Sequence, residues 1–180
     1  MGSVKRRGDK VVVRLDAAER SVLASLLGAV RSLLAADEDA ADADPLAAFV
    51  GMSEGPVETP EDPVLLRLLP DAYADAEQSA EFRRLTDSDV RARKNEAIDR
   101  VLDDVSTAER VDLDLDEGLG MWVQAINDVR LVLGTRLDVT EDWPETLDEL
   151  PPDDPRAALY DFYGWLSALQ ERLVVAAMDD

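Results

Sequence analysis

A chain of 180 residues with 40 acidic and 19 basic side chains, net charge −21, and neither histidine nor cysteine lacks much of the usual catalytic apparatus. No imidazole can act as a base near neutrality, no thiolate can attack a substrate, and no nitrogen or sulfur ligand can hold a structural zinc. The negative field also opposes unaided binding to nucleic acid, because it repels phosphates.

The length suits one domain with a substantial core. Hydrophobic residues make up 46% of the chain and fall in periodic clusters, which a disordered acidic tail lacks. No apolar run reaches the ~18–20 residues of a membrane-spanning helix. Lys5, Arg6 and Arg7 give the start the basic character of a signal peptide, but no apolar stretch follows. A cytoplasmic protein is therefore expected, and the lack of cysteine agrees with that compartment.

Residues 4–15 predict a β-hairpin. Val4-Lys5-Arg6 and Val11-Val12-Val13 flank Arg7-Gly8-Asp9-Lys10, where Gly8 supplies a positive φ. Arg7-Gly8-Asp9 matches an adhesion triplet, but in this setting it reads as a turn. A helix follows from Asp16 to residue 36. Asp16 and Glu19 form a capping-box variant, and Val22, Leu23, Leu26, Leu27, Val30, Leu33 and Leu34 make one apolar stripe.

Residues 37–62 are an acidic loop without Lys or Arg, which Leu46, Phe49, Val50 and Met52 could tack onto the body. Asp62-Pro63 starts a short helix that ends at Pro70. A further helical piece is expected over 71–85, and Thr86 is expected to cap a separate helix over 87–105. That helix shows Val90, Ala97, Ile98, Val101, Leu102 and Val105 on one face, with Lys94 projecting into its middle. Two accounts of Lys94 stand side by side: a stem lying on the core with its ammonium in solvent, or a buried pair with a carboxylate.

Asp112 to Gly118 resembles a calcium loop and fails as one. Glu117 sits where glycine is needed and Val123 where a bidentate glutamate is needed. Its acidic residues instead suit the positive end of the next helix, over 119–134. There Trp122, Val123, Ile126, Val129, Val132 and Leu133 are apolar, and Arg130 falls inside their arc. Asn127 and Asp128 fall on the polar side. Gly134 is expected to end this helix, and residues 136–139 to form a short strand beside the hairpin. A second acidic loop, 138–154, precedes a helix opened by Asp154-Pro155 and running to about Met178. Its core face should hold Leu159, Phe162, Tyr163, Trp165, Leu166, Leu169, Leu173 and Val174. Gln170 lies near the centre of that face and needs a polar partner, which Arg130 or a backbone carbonyl would supply.

The sum is a mainly α, single-domain helical bundle with a small N-terminal antiparallel β-hairpin. No catalytic, cofactor-binding or metal residues emerge, and no cofactor is expected. Lys94, Asn127, Asp128, Arg130 and Gln170 are candidates for a structural polar network. Arg83, Arg84, Arg91, Arg93, Lys94 and Arg100 gather around one helix, but acidic residues interleave with them, as on a solvated, salt-bridged face.

Several segments together resemble a known family: residues 62–73 (DPVLLRLLPDAY), Glu81 to Thr86 with Lys94, residues 122–137 (WVQAINDVRLVLGTRL), and Tyr163-Gly164-Trp165-Leu166 with Leu169-Gln170-Glu171. The chain resembles the actinobacterial family of unknown function encoded beside the proteolytic adaptor ClpS, some members of which are described as the oxidative-stress regulator AosR. That resemblance implies a non-enzymatic regulator of transcription acting through a protein partner such as a sigma factor. A homodimer stays open, because the sequence does not give the oligomeric state. The family's gene neighbour suggests an alternative, an adaptor in Clp-type proteolysis with Clp components as partners. A carboxylate-dependent hydrolase is the third reading. Redox sensing in AosR-type regulators is attributed to a cysteine disulfide, which this chain cannot form. Oxidation of Met52 or Met121 would be a weak substitute.

Overall fold

The computed structural model describes residues 2–36, 59–143, 150–151, 153–154 and 156–178. The expectations placed on 37–58, on 144–149 and on Pro155 lie outside these residues.

Two strands, β1 (Ser3–Arg7) and β2 (Lys10–Arg14), pair antiparallel with Arg7 opposite Lys10. The two-residue turn between them rests on Gly8 at φ +63°, a conformation that costs glycine nothing. The hairpin gains a third strand, β3 (Arg110–Asp114), antiparallel to β2. Arg110-Val111-Asp112-Leu113-Asp114 alternates polar and apolar with period two, so Leu113 joins Val11 and Val13 on the buried face. The acidic character of that segment had masked the alternation.

Helix α1 (Ala17–Ala36) opens with a reciprocal cap: Glu19 N–H donates to Asp16 Oδ1 and Asp16 N–H to Glu19 Oε2, both at 2.9 Å. Leu23, Leu27, Val30 and Leu34 form its buried line. Helix α2 (Pro63–Leu68) has Asp62 as its cap, accepting from Val64 N–H at 2.8 Å.

The two helices expected over 71–105 are one helix, α3 (Ala76–Thr107), capped by Asp75. Nothing between these ends is Gly or Pro. Thr86 is not a cap but lies mid-helix, its hydroxyl donating to the Phe82 carbonyl at 2.9 Å. Threonine makes this bond inside helices as readily as it caps them, which is why the signal misled.

Helix α4 (Glu117–Arg136) extends past both expected ends. It is the hub of the bundle, touching α1, α2, α3, β3 and α5 (Arg156–Met178). Trp122, Ala125, Ile126, Val129, Val132 and Leu133 are all buried, each large side chain contributing about 1.5–3 kcal/mol over exposure. Gly134 does not end the helix. The turn comes four residues later, at Asp138, φ +51°, where Val139 N–H donates to Gly134 O at 2.9 Å and Asp138 N–H to Thr135 O at 3.4 Å. This is a Schellman ending with aspartate where glycine is usual. It occupies the residues expected to form a strand over 136–139.

On α5 the buried residues are Tyr160, Leu166, Leu169, Leu173 and Ala176, whereas Leu159 and Val174 are exposed. The helix is rotated slightly from the expected face because β1 as well as α4 packs against it. Among the described residues, no helix is long and apolar enough to cross a membrane.

The left-handed Asp138 yields a test. Asp138→Gly should raise stability by about 0.5–1 kcal/mol and Asp138→Val should lower it, in urea unfolding followed by circular dichroism.

Candidate functional site

Because neighbours surround α4 on most sides, its polar residues cannot all face solvent. Asp128, expected on a polar side, is buried, with 2% of its side chain exposed. That side of α4 is covered by α3. Lys94 reaches across from α3, and its Nζ lies 2.7 Å from Asp128 Oδ1 with 13% of the lysine side chain exposed. The geometry is the buried pair and not the solvent-directed lysine. Among the described residues, Asp128 Oδ2 has no hydrogen-bond partner. Burial pushes the Asp128 pKa up from its ordinary value, and the bond from Lys94 opposes that rise.

Arg130 projects from α4 toward α5. Its Nη1 donates to Gln170 Oε1 at 2.6 Å and its Nε to Ser167 Oγ at 2.9 Å. The guanidinium also lies 5.3 Å from the centre of the Tyr163 ring, within cation–π range. The candidate residues thus divide into two clusters, Lys94–Asp128 toward α3 and Arg130–Gln170 toward α5. Asn127 is half-buried on α4 and, among the described residues, no side-chain hydrogen bond joins it to either.

A third cluster escaped the sequence reading. Arg83 and Arg91, expected on a solvated face, are 5% and 3% exposed. Arg83 Nη2 donates to the Leu69 carbonyl at 3.0 Å and Arg91 Nη1 to the Leu34 carbonyl at 2.8 Å. Each guanidinium thereby satisfies an orphan carbonyl at a helix end, Leu69 after α2 and Leu34 in α1. Asp87 binds Arg91 through its carboxylate and lies 3.6 Å from Arg83 Nη1. Asp71 Oδ1 accepts from Arg83 at 2.8 Å, Ser79 at 2.9 Å and Thr59 at 3.0 Å. These bonds, that from Arg83 first, hold the Asp71 carboxyl below its usual pKa. The legible signal was the four-residue spacing of Arg83, Asp87 and Arg91, which puts them on one helix face.

Two further acidic residues serve as anchors. Asp104 Oδ2 accepts from the Trp122 indole at 2.9 Å and from Arg100 at 3.1 Å, which lets the tryptophan be fully buried. Asp114 accepts the Glu117 and Gly118 amides at 2.8 and 3.1 Å, so its pKa is lowered at the start of α4. Met121 is partly buried against the core, and Met52 lies outside the described residues.

Chemically, these clusters hold helices together. A crevice of about 80 Å³ beside Arg83, walled by Phe82, Pro70 and Val90, has room for a few waters and not for a substrate. Among the described residues, no group of three or more carboxylates converges as metal ligands would.

Comparison with known proteins defines the class. Residues 1–177 match the family described as domain of unknown function DUF2017, and the chain belongs to that family. Among its relatives are proteins named oxidative stress regulator AosR from Mycobacterium tuberculosis and Mycobacterium bovis. Each is 32% identical over 200 residues, covering 98% of this chain and 90% of the relative. A Mycobacterium leprae relative whose name also carries AosR is 33% identical over 175 residues, covering 89% of this chain and 79% of its own. No solved structure matches the chain.

Two outcomes test the polar clusters. Asp128→Asn strands the Lys94 charge and should cost about 3 kcal/mol, whereas Lys94→Met with Asp128→Leu should recover most of that in urea unfolding. A double variant no more stable than Asp128→Asn would contradict the pairing. Asp71 has a folded pKa below its ordinary 3.8, so its stabilisation is complete above pH 3.8 and lost as pH falls through the lower folded value. Asp71→Asn should therefore lower Tm at neutral pH, and the gap to the parent protein should close below pH 3.8.

Proposed function

We propose that this protein is a non-enzymatic regulator of the oxidative-stress response that acts by binding a component of the transcription machinery such as a sigma factor. The observation that carries the reading is kinship along nearly the full length with relatives named as oxidative stress regulators. The site geometry supports it: the buried cations and carboxylates are engaged with one another and with helix ends, in the manner of a scaffold. Because the chain has no cysteine, this member regulates without a disulfide switch. The reading requires a cytoplasmic protein.

Deleting the gene and re-supplying the intact chain tests this. The peroxide-induced transcript profile should change on deletion and return on complementation, and a sigma or RNA polymerase subunit should co-purify with the tagged protein. An unchanged profile together with capture of neither would reject the proposal.

A further inference from the structure

On the outward face of the three-stranded sheet, cations gather without matching carboxylates. The register aligns Ser3, Arg14 and Arg110 in one row, Lys5, Val12 and Asp112 in the next, and Arg7, Lys10 and Asp114 in the third. Alternation sends Val11, Val13 and Leu113 to the core and these rows to the opposite face, where Lys5, Arg7, Lys10, Arg14 and Arg110 are exposed and Val12 is buried. Both carboxylates of the face are committed: Asp112 to Arg110 at 2.7 and 3.0 Å, and Asp114 to the amides that open α4. Among the described residues, no salt bridge reaches Lys5, Arg7, Lys10 or Arg14. Lys10 and Arg14 act on Asp112 only through space, adding to the bond from Arg110 that chiefly lowers its pKa.

This arrangement works against stability. Arg7 stands directly opposite Lys10, and Arg14 directly opposite Arg110. Like charges opposite one another on adjacent strands repel. A chain with 40 acidic residues could relieve either pair with a single substitution. Local rules broken without local benefit mark functional surfaces. The same face carries a depression of about 540 Å³ lined by Ser3, Lys5, Arg7, Val12, Arg14 and Arg110.

We propose that this face docks an extended, acidic segment of a partner protein. The proposal rests on the reading that the chain acts by binding another protein, and it specifies where and by what chemistry. Five-residue strands span ~17 Å, the length of about five residues of extended chain whose alternate side chains point one way. Carboxylates at those alternate positions would meet Lys5, Arg7 and Arg14, with arginine offering paired donors. Duplex nucleic acid fits less well. Its charge recurs every ~1.7 Å along the axis, so it would run off the patch onto the surface of a chain whose net charge is −21.

The test is fluorescence anisotropy of the full chain with a labelled peptide of alternating Glu and Thr, and separately with a labelled random-sequence DNA duplex. The peptide should bind saturably, more weakly as salt rises, and more tightly than the duplex. Arg14→Glu with Lys5→Glu should weaken peptide binding at least about ten-fold, and Arg14→Lys should retain it. Placing Glu opposite Arg110 should leave Tm unchanged or higher, which separates lost binding from lost folding. Lys5→Gln with Arg7→Gln, a milder change on the edge strand, should weaken binding in the same direction. No peptide binding, tighter binding to the duplex, or equal binding by the reversed-charge and parent proteins would overturn the proposal. Any of these with the transcript phenotype intact removes the docking face and leaves the regulator; peptide binding without the phenotype does the reverse.

Discussion

A helix enclosed on nearly every side must settle its own polar residues inside the protein, and that constraint on α4 shapes much of this structure. Asp128 and Arg130 lie two residues apart and point to different neighbours. The first meets Lys94 on α3 and the second meets Gln170 and Ser167 on α5. Apolar packing alone would let the helices slide or rotate at small cost, because hydrophobic attraction has no direction. A carboxylate with one lysine in reach, and a guanidinium with one amide, tolerate far less displacement. The aliphatic residues supply most of the stabilisation, and the two polar contacts bias the bundle toward one arrangement.

Arg83 and Arg91 extend the same logic to the chain ends. A helix leaves its last carbonyls without partners. Here the Leu34 and Leu69 carbonyls are met by guanidinium groups from the long α3 helix, and Asp87 between the two arginines, with Asp71 on Arg83, balances their charge. A strongly acidic chain thus places scarce cations at interior positions. Those on the sheet face, Arg7 opposite Lys10 and Arg14 opposite an Arg110 that Asp112 already holds, stand out against this economy of charge.

The sequence was most readable where a local rule and tertiary packing agree. The Asp16–Glu19 cap, the Asp62-Pro63 start and the Gly8 turn all depend on neighbours within a few residues, and the structure contains each. The errors arose where one local signal has two meanings. Thr86 can cap a helix or bond back within it. The alternation of Arg110 to Asp114 was hidden by its acidity, and the role of Gly134 in ending α4 fell to Asp138. Asp128 could not be placed from α4 alone, because only the position of α3 decides whether that side meets water. Arg83 and Arg91 were hidden for the same reason: arginines spaced among aspartates look solvated until the elements that cover them are known.

Asp128 is a buried carboxylate held by Lys94 inside the bundle, while Asp71 is an exposed one held by Arg83. Carbon-13 NMR titration of the aspartate carboxyls tests both at once. Asp128 should titrate above the ordinary 3.8 and Asp71 below it. An Asp128 that titrates at or below Asp71 would contradict the burial, and with it this account of how α4 is fixed in place.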